Sequence, residues 1–132
     1  MPDAARRFAR RVFTGAAVYG IVALLPQYFL EDRIGRDFPP AITHPEFYYG
    51  FVGVALAWQV TFLVIGLDPV RYRPMMLVAA LVEKFVFGIA GPVLYFQGRV
   101  PVLIAVFAGI DVALGLLFLE SWRRTRPADV AH

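Results

Sequence analysis

Four long apolar runs, each of about twenty residues, make up most of this chain and constrain it more than any other feature. They lie at about 12–30, 47–67, 75–96 and 100–119. A helix of that length crosses the ~30 Å hydrocarbon layer of a bilayer. Lipid admits only segments whose backbone polar groups are satisfied internally. The expected fold is therefore all-α: an integral membrane four-helix bundle, forming a single transmembrane domain over 1–132. Composition agrees. Hydrophobic residues make up 59% of the 132, and the mean hydropathy is +0.63. Charged residues make up 17%, against ~25% in soluble domains.

Charges between the runs set an orientation. Arg6, Arg7, Arg10 and Arg11 precede the first run, Arg71 and Arg73 lie between the second and third, and Arg123, Arg124 and Arg126 follow the fourth. The opposite connections hold only Arg33, Arg36 and Arg99. By the positive-inside rule both termini are expected in the cytoplasm, with residues 31–46 as an extracytoplasmic loop. This points to a multi-pass protein, in a bacterial inner membrane. The basic pI of about 9.6 then reflects topology and not nucleic-acid binding. The first run exceeds the ~7–15-residue core of a signal peptide and ends in Gln27-Tyr28-Phe29, so it reads as a retained span. Pro26 is expected to be a tolerated membrane proline, the alternative being a kink that opens a cavity in the outer half of that span. Pro39-Pro40 and Pro45 break regular structure in the loop, and Pro74 and Pro101 suit helix first turns.

The absence of cysteine excludes disulfides, thiol catalysis and thiolate metal sites. The two histidines, His44 and His132, both lie outside the runs, so one chain cannot hold haem between two intramembrane histidines. No nucleophile–base pair or metal motif is visible, and an enzyme is the least supported class. No cofactor or metal is expected.

The runs themselves are not clean. Glu83 and Lys84 interrupt the third and Asp111 the fourth; Gln59 and Tyr19 sit in the second and first. At ~1.5 Å per residue, Tyr19, Gln59, Glu83 and Asp111 lie ~17–20 Å from the outer ends, near the bilayer centre. An ionisable group there costs at least ~2.5–3.5 kcal/mol on insertion scales, so it normally has a partner. Short connections make the third and fourth helices antiparallel neighbours. Lys84 is then placed to bridge Glu83 and Asp111, leaving one formal negative charge. A structural reading competes with this: the cluster only holds the bundle in register, or Lys84 snorkels to the inner interface. Gly88 and Gly91, with Ala108 and Gly115, supply the small faces that let helices approach in lipid. Small residues at Gly53/Ala57, Ala16/Gly20 and Ala105/Gly109/Ala113 are packing faces, one of which could serve a homodimer.

The stretch from Gly109 to Leu119, GIDVALGLLFL, resembles the last span of DoxX-like small four-helix bacterial membrane proteins. That resemblance implies a four-span topology, with a link in some members to quinone-coupled sulfur chemistry. The carboxylate placement at Glu83 and Asp111 is also similar to that of the sterol isomerase and sigma-2-type receptor superfamily, which receives sterols or hydrophobic amines inside a bundle. No intramembrane histidine matches the isomerase's catalytic one.

The leading expectation is a binding protein for a hydrophobic small molecule, such as a quinone, a lipid or a sterol-like compound. Its pocket lies in the outer half of the bundle. Glu83 and Asp111 anchor the polar head, Lys84 balances charge, and Gln59 and Tyr19 supply neutral hydrogen bonds. Proton or ion transport through an oligomer is the alternative. A non-catalytic structural partner subunit is the third reading.

Overall fold

The computed structural model describes residues 3–128, so His132 lies outside the described residues. Four helices are long and apolar enough to cross a membrane: Asp3–Phe29, Pro45–Leu67, Arg73–Phe96 and Val102–Arg124. No strand occurs among the described residues. This is an all-helical chain, consistent with a multi-pass membrane protein.

Helix boundaries depart from the apolar runs for identifiable reasons. The first helix starts at Asp3, well before residue 12. Its arginine-rich opening turns bury Ala5, Ala9 and Phe13 while the guanidinium groups stay outside. The α-helix ends at Leu24 and tightens to a 3₁₀ turn, Leu25–Phe29, where Pro26 has no N–H to continue the ladder. Residues 31–46 are not loop throughout: a short helix forms at Glu31–Asp37. Glu31 and Asp32 sit in its first turn and Arg36 in its last, the arrangement that complements a helix dipole. Pro45 opens the second helix, where a missing N–H costs nothing. The third helix begins at Arg73, two residues before its apolar run. The fourth opens at Val102 and extends five residues past Leu119. There Ser121 and Thr125 donate their hydroxyls back to the Leu117 and Ser121 carbonyls, at 2.9 and 2.7 Å. These side chains are thereby satisfied while fully buried.

The four helices interlock as two pairs. In the pair formed by the first and second helices, a Cβ at Gly66 would lie 2.9 Å from Thr14 Oγ1, and one at Gly20 would overlap the Gln59 carboxamide. In the pair formed by the third and fourth helices, Gly88 lies under Val112, Gly91 under Ala108, and Gly115 under the Phe85 ring. Each glycine lets backbone and side chain approach where any larger residue would collide.

The pairs join at the arginine-rich end. The core there gathers Ala9, Phe13, Ala16 and Ala17, with Phe62 and Ile65, Met76, Ala79 and Ala80, and Phe118. Phe13 stacks on Phe118 at 4.2 Å between centroids, and Phe62 meets Phe118 edge-on at 5.0 Å. Two arginines tie helix ends together. Arg10 donates from Nε to the Gly66 carbonyl and from Nη2 to that of Leu67, both at 3.2 Å. Arg73 donates to the Trp122 carbonyl at 3.0 Å and lies 4.3 Å above that indole ring. Carbonyls left over at helix C-termini are the natural acceptors for such cations.

Packing thins toward the opposite end. The second helix touches the third chiefly along Arg73–Lys84; beyond that, Phe85–Phe96 packs chiefly along the fourth helix. Phe47, Phe51, Phe87 and Phe96 are exposed in this half. What ties it together is the first-to-second helix contact, where the Tyr48 hydroxyl donates to the Gln27 carbonyl at 2.5 Å and the Tyr49 hydroxyl to Glu31 at 2.8 Å.

Candidate functional site

The charged residues of the third helix lie on a break in its regularity. Ala79–Lys84 is π-helical, between the α-helical turns Arg73–Val78 and Phe85–Phe96. A π-turn inserts one extra residue into the hydrogen-bonded loop, and such insertions are frequent at functional sites. Successive side chains are then less widely splayed than the α-helical period allows. Glu83 and Lys84 consequently turn toward each other.

Lys84 is the hub. Its ammonium donates to Asp111 Oδ1 at 3.1 Å and lies 3.3 Å from Glu83 Oε2. The latter contact is an ion pair without hydrogen-bond geometry, so Glu83 Oε2 is buried with no donor. On a third side the ammonium sits 5.4 Å from the centroid of Phe62, presented by the second helix. A ring face attracts a desolvated cation. The Lys84 side chain is 6% exposed, while Glu83 and Asp111 retain 14% and 15%. Lys84 does not snorkel to the arginine-rich end. The cluster straddles the third and fourth helices, at the depth where packing changes from tight to thin.

Of the other two expected residues, Tyr19 lies near this hub, whereas Gln59 packs against Gly20 of the first helix. Tyr19 is more than a third exposed, within electrostatic reach of the Asp111 carboxylate, and its hydroxyl makes no protein hydrogen bond among the described residues. Gln59 is nearly fully buried and donates from Nε2 to the Ala55 carbonyl of its own helix at 2.9 Å. Its Oε1 has no donor. Flipping the amide would set oxygen against that carbonyl, so the assignment is fixed by chemistry. Gln59 makes no hydrogen bond to Glu83, Lys84 or Asp111. Its link to them is Phe62, one turn along the same helix. Phe62 went unnoticed in the sequence; its spacing from Gln59, three residues on one helical face, is the signal that could have found it.

The His44 imidazole lies 3.2 Å from Glu46 in an exposed turn. No group of three or more metal-ligating side chains occurs among the described residues. A surface depression of about 440 Å³ lies between the short helix Glu31–Asp37 and Ala41-Ile42, away from the charged cluster.

Comparison with protein families, with curated proteins and with solved structures finds no match to this chain. The site must be read from its own chemistry.

Proposed function

We propose that this chain binds a hydrophobic small molecule, of the quinone, lipid or sterol-like class, within a bacterial inner membrane. The molecule enters where the second and third helices part, and its polar head rests on the layer formed by Glu83, Lys84 and Asp111. The observation that carries this reading is the position of the cluster. Three charged side chains converge at mid-helix, at the depth where the second and third helices part and exposed apolar side chains take over. An apolar surround with a few converging polar groups is the usual make-up of a small-molecule site. Intramembrane charge is retained at a cost, and a ligand explains that cost better than packing, which the interlocked glycines already provide.

The arginine distribution supports a cytoplasmic location for the densely packed end. The ligand would then arrive from the outer leaflet.

The test is chemical. Protein purified in mild detergent is extracted with organic solvent and the extract analysed by mass spectrometry. A small molecule at near-stoichiometric amount is expected from the native chain, and is expected to be lost from Glu83→Gln and Asp111→Asn. Extracts that are the same for all three well-folded proteins would reject the binding reading and leave the cluster a packing element.

A further inference from the structure

The polar layer has a one-sided hydrogen-bonding capacity. Apart from the Tyr19 hydroxyl, its donors are directed at the protein. Lys84 directs its ammonium at Asp111, Glu83 and the Phe62 face, and Gln59 gives one Nε2 hydrogen to Ala55. What remains free is acceptor capacity. Among the described residues, Asp111 accepts through Oδ1 alone, leaving Oδ2 unpaired, and Glu83 meets Lys84 as an ion pair without accepting a hydrogen bond. With two carboxylates against one ammonium, the formal charge of the layer is also negative. A buried acceptor without a donor forfeits its solvation and gains nothing in return.

We infer that the site selects ligands whose head group donates hydrogen bonds, and discriminates against heads that only accept them. Resting on the proposed binding role, this narrows the class. A hydroquinone, with two O–H groups, fits the layer. The corresponding quinone, with two carbonyl oxygens, would face carboxylate lone pairs. Tyr19 is the one side chain of the layer with a spare donor, and a single phenol cannot serve both carbonyls of a quinone. Sites built to pair a ligand O–H or N–H reject analogues lacking it far more strongly than apolar pockets reject a missing methylene.

The experiment uses a matched pair, decylhydroquinone and decylquinone. Both are titrated under argon into the full-length protein in lipid nanodiscs and followed by calorimetry. The hydroquinone is expected to bind at least about tenfold more tightly, a difference of ~1.4 kcal/mol. In Glu83→Gln, which exchanges an acceptor for a donor at constant shape, the preference is expected to shrink. Helical circular dichroism and a monodisperse elution profile establish that the variant is folded. Equal binding of the pair, or tighter quinone binding, overturns the donor requirement while leaving the binding role intact. Binding of neither, to protein freed of its own lipid, overturns both. A dodecylammonium competitor separates two kinds of donor: displacement shows that an ammonium serves, no displacement that a hydroxyl is required, and each upholds the requirement for a donor.

Discussion

Replacing Lys84 with methionine keeps the length and apolar stem of the side chain and removes only the ammonium. The structure sets the scale of the effect. Contacts of 3.1 and 3.3 Å to two carboxylates are each worth about 5 kcal/mol at an effective dielectric near 20. Most of this gross attraction is offset by the desolvation of three buried ions. Truncating one partner of a buried pair nevertheless costs about 3–5 kcal/mol, because the remaining charge is stranded. Here two carboxylates are stranded, at 14% and 15% exposure, and the ring face of Phe62 loses its cation. Lys84→Met should therefore lose about 3–5 kcal/mol. The triple variant Lys84→Met/Glu83→Gln/Asp111→Asn, with no charge left in the layer, should recover more than half of that. Reversible unfolding in mixed micelles, with rising mole fraction of dodecyl sulfate, measures both. A single-variant loss under about 1 kcal/mol would place Lys84 among weak surface ion pairs. A triple variant no more stable than the single one would show that stranded charge is not the source of the loss. Either result refutes the reasoning.

Two further expectations concern packing and topology. Gly91→Val should separate the third and fourth helices at a cost of about 1–3 kcal/mol, since its first side-chain carbon overlaps Ala108, whereas Gly109→Ala, with nothing within 4 Å, should be neutral in the same unfolding assay. Because the chain has no cysteine, Thr43→Cys and Ala128→Cys can each be introduced singly; an impermeant maleimide should label position 43 in intact cells and position 128 only after permeabilisation, and the reverse pattern would invert the orientation drawn from the arginines.

The long helices were legible because runs of eighteen or more apolar residues leave little else open. The mid-span positions of Glu83, Lys84 and Asp111 were equally plain, since a charge within such a run is visible by count. What lay beyond the sequence is of a different kind. No residue pattern in the sequence marks the π-turn at Ala79–Lys84. The bridge from Lys84 to Glu83 and Asp111 was expected from the sequence, but not the π-turn that narrows the angle between the adjacent side chains of Glu83 and Lys84. The Glu31–Asp37 helix was hidden by the prolines that follow it, although its charges already matched a short helix dipole. The early start at Asp3 was hidden by arginines, whose long stems let a charged segment lie along an apolar core. Phe62 carried no polar label, and its role as a platform for Lys84 emerges only when two helices are seen side by side.

The packed rings of Phe13, Phe62 and Phe118 act as a stopper near one mouth of the assembly. In a bilayer, a solute settled on the charged floor could not continue past them without prising apart the arginine-tied helix ends. Arrival and departure would then share a single doorway, as in a dead-end street, and traffic across the membrane would demand that this aromatic seal be broken and remade on every passage.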